Sequence, residues 1–171
     1  MFWLKILKSI MTTLHSKISP NQIAGGCMLG MMIGILPAKN LLTAGMVLVI
    51  LLLNVNIGSA ALMATLFSVI GYFADPLADR IGYFLLVTST GLTPVWAHLY
   101  NLPLIAFTRF NNTVVLGSFC IALILCVPVF LGMRWFIVYY RANLASKVEQ
   151  WKIMKVFKLS SSLNLYDKYN Q

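Results

Sequence analysis

Two stretches of this chain, residues 57–74 and 114–138, are apolar over a length that can cross a bilayer as one helix. A full crossing takes about 20 apolar residues. The remaining apolar blocks, at 21–36, 41–53, 81–96 and 102–107, are shorter, and proline ends the first and interrupts the last two. One of them, Gly25–Pro37 (GGCMLGMMIGILP), is apolar enough for lipid but stops at Pro37, with Lys39 just beyond. The chain is 60% hydrophobic and only 10% charged, whereas a soluble domain is about 25% charged. With a mean hydropathy of +0.84, it reads as an all-α integral membrane protein.

The short blocks fall into pairs. Blocks 21–36 and 41–53 are joined by Pro37-Ala38-Lys39-Asn40, and 81–93 is separated from 95–107 by a break at Thr88–Pro94 that contains Gly91. Each pair suits a re-entrant hairpin that dips into the membrane and returns, because irregular backbone at that depth survives where protein or a watery cavity shields it. A shift of 57 residues lays Gly34-Ile35-Leu36-Pro37 on Gly91-Leu92-Thr93-Pro94, and Asn54 on Asn111. The expected fold is an inverted repeat of re-entrant hairpin (21–53, 81–107) plus transmembrane helix (57–74, 114–138), within a membrane domain at 20–140. Such inverted repeats are a common transporter plan. Four slightly short spanning helices satisfy the same hydropathy.

The net charge of +9 is concentrated towards the ends of the chain. Lys5, Lys8 and Lys17 precede the apolar region, and Arg134, Arg141, Lys147, Lys152, Lys155 and Lys158 close or follow it. Positive residues favour the cytoplasmic face, so both termini are expected there, in a multi-pass inner-membrane protein. Residues 1–19 read as an amphipathic surface helix, and 141–171 as a basic juxtamembrane helix and tail. Its lysines, Lys147, Lys152, Lys155 and Lys158, should each contribute about 1 kcal/mol of attraction to an anionic leaflet. Trp96, Trp135, Tyr139 and Tyr140 suit an interfacial aromatic belt. Cys27, Cys120 and Cys126 have neither the even count nor the spacing of a disulfide framework or zinc site.

Gly26, Gly30 and Gly34 form a small-residue strip suited to close backbone approach, within the protein or to a partner helix. Asp75-Pro76-Leu77-Ala78-Asp79 reads as a helix start, with Asp75 as cap, Pro76 at the first helical position and Asp79 in the first turn. Asp75, Asp79, Arg80 and Arg109 are also candidate contacts for a partner or a lipid phosphate. Pro37, Gly91 and Pro94 mark the hairpin breaks. His98 has no partner at metal-ligating spacing, and the apolar blocks themselves contain no Asp or Glu. No nucleophile–base set or phosphate-cradling loop is present, so neither enzymatic activity nor a cofactor or metal is expected.

The run Ile18-Ser19-Pro20-Asn21-Gln22-Ile23-Ala24-Gly25-Gly26, followed by Gly30, Gly34 and Pro37, resembles a bacterial membrane family, domain-of-unknown-function family 2062. That family's pattern opens S-P-x-x-I-A-x-G. The likeness continues to Asn56 and to Asp75-Pro76-Leu77, where the family usually has Asn-Pro-Leu-Thr, and spans most of residues 15–140. The chain is most similar to a subgroup encoded beside large AsmA-like proteins. This resemblance implies a small inner-membrane subunit that anchors an AsmA-like periplasmic bridge protein and helps load phospholipid for transport between the two membranes of a Gram-negative envelope. A stand-alone transporter or lipid scramblase is the alternative. No nucleic-acid partner is implied.

Overall fold

The computed structural model describes residues 18–37, 40–103 and 105–144. Among the described residues every regular element is helical: α1 (Pro20–Ile35), α2 (Leu41–Leu52), α3 (Ile57–Tyr83), α4 (Thr93–Tyr100) and α5 (Thr113–Tyr139). Single π-helical turns extend α3 over Phe84–Thr88 and α5 over Tyr140–Leu144. The surface helix expected over 1–19 and the basic segment with Lys147, Lys152, Lys155 and Lys158 lie almost wholly outside the described residues.

Local chemistry starts these helices. Ser19 and Gln22 form a reciprocal capping box, each accepting the other's backbone N–H at 3.3 Å, with Pro20 at the first position of α1. Asn40, Asn56 and Asn112 cap α2, α3 and α5, their side chains accepting from the N–H of Thr43 (2.7 Å), Ser59 (2.7 Å) and Val115 (3.1 Å). Pro37 ends α1: it has no N–H to donate and biases Leu36 to the extended conformation seen there.

The glycine strip sets the architecture. A Cβ at Gly26 would collide with Ser59 Oγ and the Asn56 carbonyl, and one at Gly30 with the Ala60 carbonyl. At Gly34 it would sit 2.6 Å from the Ala64 carbonyl. The contacts advance together along both helices, so α1 and α3 run parallel with their backbones touching. The Asn56 N–H donates to the Gln22 carbonyl at 3.0 Å, which returns the chain to the start of α1. The α2 segment and its flanking residues therefore close a helical hairpin, and of α2 itself only Ile50 is buried.

Two further glycines bring α5 against α3 in the opposite direction. A Cβ at Gly117 would strike the Ala78 carbonyl, and one at Gly82 the Thr113 carbonyl. The far end of α5 reaches the start of α1, where Ile137 packs with Ile23, Ala24 and Cys27, and Arg141 Nη1 donates to the Ile18 carbonyl at 2.8 Å. The two halves thus share asparagine caps and 27-residue long helices but not the direction in which those helices meet their glycine-bearing partners.

The outer surface of the long helices is apolar. The buried residues of α3 are all small: Ser59, Ala60, Gly71, Ala78 and Gly82. Large side chains point outward instead, with Phe73 76% and Ile124 72% exposed. The spans Ile57–Thr88 and Thr113–Asn143 are both long and apolar enough to cross a membrane. Trp135 and Tyr139 stack at 5.5 Å on this outer surface, whereas Tyr140 is buried and belongs to the core rather than to an aromatic belt.

Two boundaries differ from the sequence expectation. Residues 57–74 and the first arm of the second hairpin form one helix, and Pro76 sits inside it. Asp75 is therefore not an N-cap. An Asp-Pro pair reads as a helix start, but within a helix already begun at Asn56 the proline removes only the N–H that would have bonded the Tyr72 carbonyl, a loss that membrane helices tolerate.

Replacing Gly30 with leucine should destabilise the protein by about 1–3 kcal/mol or more through overpacking against α3. Gly45→Ala, at a site with nothing within 4 Å, should leave stability unchanged or raise it by up to about 1 kcal/mol through helix propensity. Thermal unfolding in detergent separates the two outcomes.

Candidate functional site

Because α1 stops beside Gly71 while α3 continues, a hollow is left at the end of the short helix. A Cβ at Gly71 would lie 3.0 Å from the Gly34 carbonyl and 3.2 Å from Ile35 Cα, so α1 ends twelve residues before Tyr83. The resulting cavity, of about 380 Å³, is walled by the last turn of α1 through Pro37, by Thr43 of α2, and by Ser68, Tyr72 and Asp75 of α3.

Its polar character is one-sided. Thr43 Oγ1 has the Asn40 Oδ1 at 2.9 Å and the Pro37 carbonyl at 3.2 Å, while Ser68 Oγ donates to the Thr65 carbonyl at 2.8 Å. Each hydroxyl carries a single proton, so once that is committed it offers the cavity lone pairs. Pro37 lacks the N–H that would meet the Ile33 carbonyl, and Pro76 the one that would meet the Tyr72 carbonyl. Ile33 and Tyr72 are both among the lining residues. Asp75, half-buried, makes no hydrogen bond or ion pair among the described residues. Among the described residues, no Lys, Arg or His lines it.

The other expected contact residues do not gather here. Asp79 accepts a hydrogen bond from Thr113 Oγ1, tying α3 to the start of α5. Arg80 is exposed on α3. Arg109, also exposed, holds a φ of 58° in the turn before α5, where its carbonyl accepts from the Asn112 N–H at 2.9 Å. Neither arginine pairs with Asp75 or Asp79 among the described residues, so the ion pairs that the sequence allowed are not made. Gly26, Gly30 and Gly34 are spent on packing against α3. Gly91 lies in a 3₁₀ turn and Pro94 in the first turn of α4; with Pro37 they stand where the helices break.

Near that second break lies an apolar cavity of about 270 Å³, lined by Leu86, Trp96, Tyr100, Ile105 and Phe110 among others. The Trp96 indole N–H donates to the Leu85 carbonyl at 3.0 Å, closing α4 back onto the end of α3. His98 is exposed on α4, and no cluster of potential metal ligands occurs among the described residues.

The two aspartates should separate under mutation. Asp79→Ala leaves the Thr113 hydroxyl without its partner and should cost about 1 kcal/mol. Asp75→Ala removes a group with no internal partner and should change stability by less than about 0.5 kcal/mol. Unfolding midpoints of the two variants measured side by side check this.

Residues 5–145 match the family described as an uncharacterized protein conserved in bacteria (DUF2062). A relative from Treponema pallidum (strain Nichols), itself described as an uncharacterized protein, is 26% identical over 145 residues, covering 85% of this chain and 89% of the relative. No solved structure matches. A family match over most of the chain makes this protein a member of the DUF2062 family.

Proposed function

We propose that the protein is a small inner-membrane subunit with both termini in the cytoplasm, that it anchors a large AsmA-like protein on the periplasmic side, and that it helps phospholipid enter that bridge. The observation that carries the reading is the short hairpin. The sixteen residues of α1 extend about 24 Å at 1.5 Å per residue, less than the roughly 30 Å of a hydrocarbon core. Together α1 and α2 make a re-entrant element that stops within the bilayer. A hairpin of that kind leaves a polar hollow at membrane depth, which a headgroup leaving the leaflet can use. The second half repeats the asparagine cap and long helix of the first, consistent with an inverted repeat in which the packing has diverged. Arg80 and Arg109, exposed beyond the hollow, suit lipid phosphate or a partner's acidic surface.

Purification of the tagged protein at endogenous expression, in mild detergent, should recover a much larger periplasmic chain of AsmA type. Recovery of the small protein alone would contradict the anchoring role. If the isolated protein in liposomes moves labelled lipid without any partner, the stand-alone scramblase takes its place.

A further inference from the structure

We propose that the hollow at the end of α1 is a binding site for a singly charged cation, with the Asp75 carboxylate as its counter-charge. The site stands on geometry alone and does not depend on the anchoring role above.

Four observations converge on positive charge. The hollow is lined by Asp75, a half-buried carboxylate that nothing among the described residues neutralises, and an unpaired negative charge attracts a cation. The α1 helix terminates there, so the negative end of its dipole and its last carbonyls face the same space. Two prolines, Pro37 and Pro76, delete the N–H groups that would close on the carbonyls of Ile33 and Tyr72, and both of these residues are in the wall of the hollow. The hydroxyls of Thr43 and Ser68 have acceptors for their protons and so present oxygen lone pairs. Broken-helix C-termini and unpaired carbonyls beside a carboxylate are the means by which membrane proteins hold small cations at depth.

The stoichiometry of charge selects the ligand class. A single carboxylate balances one positive charge, whereas a calcium site recruits several charged oxygens. The occupant is therefore a monovalent metal ion or a primary ammonium, the latter either free or on an aminophospholipid headgroup. Lys39 follows Pro37 by two positions in the sequence and lies outside the described residues, so the test includes its removal.

The test uses the full chain purified in a neutral detergent, its thermal unfolding followed as sodium or potassium replaces N-methylglucamine at constant ionic strength. A parallel series adds mixed micelles of phosphatidylethanolamine or of phosphatidylglycerol. A saturable upward shift in Tm is expected with the small ion or with phosphatidylethanolamine, and not with phosphatidylglycerol. A response to the ion assigns a free-cation site, and a response to phosphatidylethanolamine alone assigns a headgroup site. Asp75→Asn should weaken either response by about tenfold or more, equivalent to about 1.4 kcal/mol. Thr43→Val supplies a second variant with a smaller loss, should Asp75→Asn fail to fold. The proposal is overturned by the absence of any response in the natural protein, by a full response in both variants, or by a response that emerges only in Lys39→Ala, which would make Lys39 the occupant.

Discussion

The direct contact of two helix backbones, α1 against α3, is the constraint from which the rest of the structure follows. At Gly26, Gly30 and Gly34 the only thing separating the helices is the absence of side chains. With small residues inside and large apolar side chains outside, close backbone packing is what these helices share, the mode of association expected of membrane-spanning helices. A parallel contact of this kind between neighbours in sequence obliges the chain to travel back between them. That return is α2, held at one end by Ile50 and by the Asn56–Gln22 backbone bond, and otherwise facing outward.

The same contact explains why a helix too short to span is stable. Most of α1 is buried among α3 and α5, so its length is set by its partners and by Pro37 rather than by bilayer thickness. Where α1 ends, α3 continues, and the hollow is the unfilled remainder. The polar groups found there are a consequence of how each helix is terminated or interrupted. Pro37 closes one helix and Pro76 interrupts the other, and the residues whose carbonyls they leave without an N–H partner, Ile33 and Tyr72, line the hollow together with Asp75.

Much of this was legible in the residues. Hydropathy located the two long helices, the glycine spacing marked a close helix contact, and Gly34-Ile35-Leu36-Pro37 marked the end of α1. The polar breaks opened by Asn54 and Asn111 before residues 57 and 114 were visible, and the asparagines that cap the helices there are Asn56 and Asn112. Asp75-Pro76 misled, because a proline at a first helical turn and a proline inside a membrane helix look alike in one dimension. With Asp75 assigned to a cap, the long helices seemed free of carboxylates, and the polar hollow had no charged member. Which helix the glycines would touch, and in which direction, depended on the fold of the intervening chain and could not be read from spacing.

The most direct measurement is cysteine cross-linking in a chain whose three native cysteines have been replaced. Ile35→Cys paired with Gly71→Cys, and Gln22→Cys paired with Asn56→Cys, should each form an intramolecular disulfide on mild oxidation, since a Cβ at position 71 would lie 3.2 Å from Ile35 Cα, the Asn56 N–H bonds the Gln22 carbonyl at 3.0 Å, and disulfides form between Cα atoms within roughly 7 Å. Bridging of position 35 to position 56, with none to position 71, would mean that α1 and α3 run antiparallel. The hairpin and the hollow at its tip would then have no structural basis.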